Sequence, residues 1–272
     1  MKRRAEGGNR TPPGWRAASL AVALLVGSTA RANLRAPVVV RESPSTALSG
    51  AGPGLTVTGE SLRFECSAQA CDVAAEYAVT AAEAVRVRLE LVLPVEGPVT
   101  AVTNGAAGAV SVVPAVPLRP AEARTLPPAE PGAPPLYRAA FESAFRTGAN
   151  TVAVRYRQPL GAEEIGYGYG KKAGRMVQRF RYELWPLREW SRGPGFRIRL
   201  AVALERPQPG WWRSRFGQVK SVTCLSSDST APQLSARREQ RGDWLWYEAE
   251  IGPSVPDRIT CYLGDDDLMP RY

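Results

Sequence analysis

Val85-Arg86-Val87-Arg88-Leu89-Glu90-Leu91-Val92-Leu93 decides the fold class. Apolar side chains at Val85, Val87, Leu89, Leu91 and Leu93 alternate with Arg86, Arg88 and Glu90. That period of two is what a strand with one buried face requires. The same grammar recurs on both sides. Cys71, Val73, Ala75, Tyr77 and Val79 fall on one face, with Asp72 and Glu76 on the other. Val152, Val154 and Tyr156 alternate after the turn-like Gly148-Ala149-Asn150. Met176, Gln178, Phe180, Tyr182 and Leu184 oppose Arg179, Arg181 and Glu183, and Phe196, Ile198, Leu200, Val202 and Leu204 oppose Arg197 and Arg199. Further strands are expected at 55–66, 99–103, 109–113, 219–225, 244–251 and 258–263.

Many short strands separated by Gly and Pro turns predict an all-β protein of antiparallel β-sandwich (Ig-like) architecture, in one or two domains. Residues 33–160 would form the first sandwich, and 161–272 a second β-sheet region or the remainder of the same sandwich. The segment Leu136–Arg146 fits a helix or a strand, and its strand neighbours favour the strand. Between 114 and 135, eight of 22 residues are Pro. Lacking amide donors, that stretch is expected to form neither ladder nor helix and to run as an extended loop.

Composition narrows the function. The 272 residues are 44% hydrophobic and 22% charged, enough for a sizeable core, and contain no His. A Ser-His-Asp triad, a Cys-His dyad and a His-ligated zinc site are therefore excluded. Lys2, Arg3, Arg4, Arg10 and Arg16 precede the apolar run Ala17–Gly27 and the small-x-small site Ala30-Arg31-Ala32. This predicts a signal peptide over 1–32, cleaved before Asn33, and an exported chain, periplasmic or extracellular. No later stretch reaches the roughly 20 apolar residues of a membrane helix. The formal charge of +9 includes six basic residues and one acidic residue in 1–32, so 29 minus 25 leaves +4 for the remainder. That is too little for a nucleic-acid footprint.

In an oxidising compartment the four cysteines are expected to form two disulfides. Cys66–Cys71 flanks a hairpin end, and Cys224–Cys261 joins two strands near the C-terminus. A four-thiolate metal site is the alternative, but Cys224 and Cys261 make no close pair in sequence.

The layout from Leu55 to about Leu204 resembles a family of exported bacterial β-proteins catalogued only as of unknown function. Carrying it are Gly54-Leu55-Thr56-Val57 opening a strand and an alternation ending at Leu93-Pro94-Val95. Phe180-x-Tyr182-x-Leu184, then Trp190 and Gly193-Pro194 before another strand, complete it. The resemblance implies an exported β-protein and assigns no catalytic residues.

Most catalytic motifs fail. Gly166-Tyr167-Gly168-Tyr169-Gly170-Lys171-Lys172 invites a phosphate-loop reading, but Ile165 stands where a Gly is needed and Lys172 where Ser or Thr is needed. It reads as a hairpin tip whose Tyr167 and Tyr169 could stack on a partner. Gly252-Pro253-Ser254-Val255-Pro256 breaks the nucleophile-elbow pattern at its last position. Asp265-Asp266-Asp267 is expected to be a solvated tail rather than a calcium loop. Trp211-Trp212 forms an aromatic pair in a turn, and Trp185 and Trp190 are expected to plug the end of the sandwich.

What survives is Trp244-Leu245-Trp246-Tyr247-Glu248-Ala249-Glu250-Ile251. If Leu245, Tyr247, Ala249 and Ile251 face the core, Trp244, Trp246, Glu248 and Glu250 share the opposite face. Two Trp at i and i+2 could stack on sugar rings, and two carboxylates could serve a glycosidase. The reading is a non-enzymatic envelope protein with a structural or protein-interaction role, without cofactor or metal. The alternatives are a glycan-binding module with an aromatic platform, and a carboxylate-based glycoside hydrolase. Its partner would be another protein or a cell-envelope glycan.

Overall fold

The computed structural model describes residues 39–50, 52, 54–115, 118–126, 132–165, 175–205, 220–227 and 233–270. The expected signal peptide, Tyr167, Tyr169 and Trp211-Trp212 lie outside these residues, as does part of the Pro-rich stretch. Among the described residues the architecture is all-β, with 18 strands in three sheets.

Alternation builds the longest strands: β3 (Leu55–Cys66), β4 (Ala70–Ala81) and β10 (Gly148–Pro159). They pair antiparallel as neighbours in the middle of a long sheet. β14 (Ile198–Glu205) continues it beyond β3, followed by β17 (Trp244–Ile251) and the edge strand β16 (Ala236–Arg241). Beyond β10 lie β6 (Thr100–Thr103) and β7 (Ala106–Gly108), joined by the two-residue turn Asn104-Gly105. Both turn residues have positive φ, 53° and 84°, which matches the right-handed twist of the paired strands. The short β13 (Ser191–Arg192) also pairs with β3.

The antiparallel expectation has three exceptions, two of them the short pairings of β13 with β3 and of Ser45–Thr46 with Tyr182–Glu183; the longest is β14, which runs parallel to β3. Parallel neighbours need a crossover, and the chain makes it through a second sheet. That sheet contains β1 (Val39–Val40), β11 (Gly161–Ile165), β12 (Arg175–Glu183), β18 (Arg258–Asp265) and β15 (Lys220–Ser226), with β2 (Ser45–Thr46) on the end of β12. A third sheet joins β5 (Val85–Leu93), β9 (Tyr137–Phe145) and β8 (Val110–Pro114). Leu136–Arg146 is thus mostly strand.

The inward faces of all three sheets meet in one apolar core. Phe64 of β3 stacks on Phe180 of β12 with centroids 4.2 Å apart and meets the Tyr182 ring edge-on at 5.8 Å. Leu89, Leu91 and Phe141 extend the same core under the third sheet. Because β14 and β17 belong to the sheet built on β3 and β4, residues on either side of position 160 share this core. Trp185 and Trp190 are buried, and the Trp190 indole donates to the Leu48 carbonyl at 3.0 Å.

Both expected disulfides are present: Cys66–Cys71 closes the β3–β4 hairpin, and Cys224–Cys261 joins paired residues of β15 and β18. No cysteine remains free.

Five expectations need correction. The Pro-rich stretch contains a short helix, Pro120–Thr125, with Pro at its first position, where a missing amide costs nothing. Pro114 also pairs with Tyr137 at the end of a ladder. Glu90, expected in solvent, is buried because Arg88, Arg119 and Arg138 gather over its carboxylate, and Arg138 also binds Glu122 of the helix at 2.5 Å. Glu183 is likewise buried, at the β2 end of β12. At the other end of β12, Val177 is buried against Leu268 and Met269 while Met176 and Gln178 are only half-buried. Asp265 does not lie in a solvated tail: it ends β18, buried between Arg175 at 2.7 Å and Lys220 at 2.8 Å.

Candidate functional site

Alternation gives the long sheet a second, outward face, and it carries the predicted residues of β17. Tyr247, Ala249 and Ile251 are buried, Trp244, Trp246 and Glu248 are half-buried, and Glu250 is exposed. The expected sharing of one face is therefore present for Trp244, Trp246, Glu248 and Glu250. Leu245, expected in the core, is only half-buried.

Trp246 is not a bare platform. Its register neighbour on β14 is Ala203, whose small side chain lets Arg63 of β3 reach across. The Arg63 guanidinium sits 4.7 Å from the Trp246 ring centroid, and Arg241 of β16 sits 5.2 Å from it, one from each flank of β17. Cation–π attraction at such distances holds both arginines against the indole. Glu248 binds Arg241 at 2.8 Å, and Glu250 lies 3.3 Å from Arg197. Each carboxylate thus has its own cation, on one strand of an open face.

Arg63 connects this cluster to a concavity that the sequence reading did not single out. A cavity of about 670 Å³ lies on the same face, lined by Arg63, Glu65, Asp72, Arg155, Arg157 and Thr100, among others. Register explains the grouping. Glu65 of β3 opposes Asp72 of β4, Asp72 opposes Arg157 of β10, and Arg155 opposes both Ala74 of β4 and Thr100 of β6. The small Ala74 leaves room in the floor between longer neighbours.

The charges there differ in commitment. Arg63 is bound by Glu65. Arg155, Arg157 and Asp72 are exposed and take part in none of the ion pairs found among the described residues. Alternation alone places Arg63, Asp72, Arg155 and Arg157 on polar faces. What the sequence lacks is the register that brings β3, β4 and β10 side by side.

A second polar cluster is internal. Glu60 of β3 is buried with no cation against it among the described residues: Tyr182 donates to its Oε1 at 3.1 Å, and the Tyr77 and Tyr182 hydroxyls are 3.0 Å apart. Burial pushes the Glu60 carboxyl up to about 7, against the opposing hydrogen bonds of Tyr77 and Tyr182. Nearby, the Tyr156 hydroxyl donates to Ser45, and Ser45 donates to Gln158. These groups join the long sheet to the second sheet, and each side chain is enclosed. Among the described residues no cluster of acidic or cysteine side chains could hold a metal ion, and no helix is long and apolar enough to cross a membrane.

No family model matches the chain, and no curated protein matches it. Solved structures do. A protein of Legionella pneumophila subsp. pneumophila, described as a candidate nutrient binding protein, superposes with a TM-score of 0.53 at 9% identity, over 82% of this chain and 72% of that one. It shares the fold. An M1 zinc metallopeptidase variant from Deinococcus radiodurans gives 0.40 at 12% identity, over 79% of this chain and 43% of that one. Yeast LTA4 hydrolase with bestatin gives 0.35 at 10% identity, over 79% of this chain and 29% of that one. The chain spans less than half the length of these two enzymes.

Proposed function

We propose that this chain is an exported, non-enzymatic binding module of the bacterial envelope, whose contact surface is the outward face of the long sheet. The observation that carries the reading is the concavity floored by β3, β4 and β10, with uncommitted charges at Arg155, Arg157 and Asp72. A surface that leaves two guanidinium groups without an ionic partner among the described residues, beside a cavity of small-molecule size, is suited to recognition. Two disulfides and the basic-apolar N-terminal pattern support export. The pairing of Glu248 and Glu250 with separate arginines favours binding over carboxylate catalysis.

Retention on insoluble envelope polysaccharide, peptidoglycan and envelope protein fractions tests the reading. The expected result is retention by at least one fraction that is lost in the Arg155→Glu/Arg157→Glu variant. Retention lost instead in Trp244→Ala/Trp246→Ala, with the arginine variant unaffected, would favour the aromatic platform. Release of reducing sugar would overturn the non-enzymatic reading.

A further inference from the structure

Three charges in the concavity of the long sheet have no ionic partner among the described residues: Arg155, Arg157 and Asp72. Arg155 and Arg157 stand at i and i+2 on one face of β10, so their backbones are roughly 6.5–7 Å apart. Asp72 lies directly across from Arg157 on the neighbouring strand. The open charge pattern is two cations and one anion, a triangle across adjacent strands of one sheet face.

We propose that this triangle binds the complementary pattern, two carboxylates and one ammonium, as carried by an acidic amino acid or by a short acidic peptide with a free amino terminus. The inference rests on the reading of this face as the contact surface and names the ligand chemistry. Each guanidinium can take a carboxylate through paired N–H donors. Asp72 accepts from the ammonium and repels a third carboxylate. Thr100, in register with Arg155, adds a hydroxyl at the rim. Glu65 is occupied by Arg63, and Arg63 leans on Trp246, so these two form the wall rather than the charge code. The cavity, about 670 Å³, is within the range of small-ligand sites and small for a flat protein interface.

Calorimetric titration of the full chain tests this with four probes: L-glutamate, glutarate, the tripeptide glycyl-glutamyl-glycine, and L-glutamine. Glutarate keeps both carboxylates and lacks the ammonium; glutamine lacks one carboxylate. The parent protein is expected to bind glutamate or the tripeptide more tightly than glutarate or glutamine. Whichever of the first two binds more tightly identifies the source as free amino acid or peptide.

Arg155→Gln/Arg157→Gln is expected to weaken binding roughly tenfold or more, the scale of lost charge-assisted hydrogen bonds. Asp72→Asn is expected to abolish the preference over glutarate. Arg86→Gln, an equally exposed arginine on the third sheet, is expected to change nothing. The substituted side chains are exposed, and unchanged thermal midpoints check that the variants are folded. Absence of binding by every probe, glutarate bound as tightly as both glutamate and the tripeptide, or unaltered binding by the double arginine variant would each overturn the proposal. If those results accompany arginine-dependent retention on envelope material, the contact face stands and only the ligand chemistry falls.

Discussion

The hydroxyl of Tyr182 donates to the Glu60 carboxylate across 3.1 Å, between the long sheet and the second sheet, with no cation among the described residues to balance the charge and with Glu60 Oε2 left without a hydrogen-bond partner among them. Such a carboxyl is more easily kept neutral than charged. Burial raises it from 4.5 to about 7. Because the folded value exceeds the unfolded one, the folded chain holds the extra proton. Stability is then fully present below about 4.5 and is lost as pH rises through about 7, by roughly 3 kcal/mol for this residue. Glu183, also raised to about 7 by burial against the pull of Arg258 and Arg181, acts in the same direction. Chemical denaturation from pH 4.5 to 8 is expected to show falling stability, and Glu60→Gln is expected to flatten a large part of that fall.

The two disulfides should not count equally. Cys224–Cys261, with a sequence separation of 37, closes a much longer loop than Cys66–Cys71, with a separation of 5. Chain-entropy reasoning gives about 4 kcal/mol for the first and about 2 kcal/mol for the second. Thermal melts of Cys224→Ser/Cys261→Ser and Cys66→Ser/Cys71→Ser are expected to show the larger drop in the first variant.

Phe64 joins the two larger sheets, with Phe180 stacked on it and Tyr182 against its edge. Its truncation leaves a cavity where no side chain can collapse without moving a sheet. Phe64→Ala is expected to cost about 3–5 kcal/mol in urea titration. Trp246→Ala, on the outward face, is expected to cost far less.

Gly50 has φ of +106°, and a Cβ there would press on the Arg88 carbonyl of β5. It follows the Ser49–Glu90 bridge that ties the segment after β2 to the third sheet. Gly50→Ala is expected to lower stability by about 1–3 kcal/mol, read as a lower thermal midpoint.

Strand grammar was legible wherever one face was apolar: β4, β10, β14 and β17 follow their alternation nearly residue by residue, and β3 does so on either side of a bulge between Val57 and Gly59. Long-range packing was not. Glu90 and Glu183 obey the period of two, yet each is buried, because arginines and a short helix gather over one and β2 pairs beside the other. Asp265 looks like part of a charged tail until Arg175, distant in sequence, closes on it. The cavity was hidden for the same reason. Its arginines, Arg63, Arg155 and Arg157, come from strands whose adjacency only register supplies, whereas Trp244 and Trp246 stood out by residue type.

We propose that the protein meets its partner on the outward face of the long sheet, around Ala74. The most direct test is a photo-reactive side chain placed at Ala74, in the floor of the cavity, and in a second protein at Arg86 on the third sheet. Each is irradiated with bacterial envelope material. A discrete adduct is expected from position 74 that the Arg155→Glu/Arg157→Glu change abolishes, with none from position 86. Adducts from position 86 alone, or of equal yield from both positions, would contradict it.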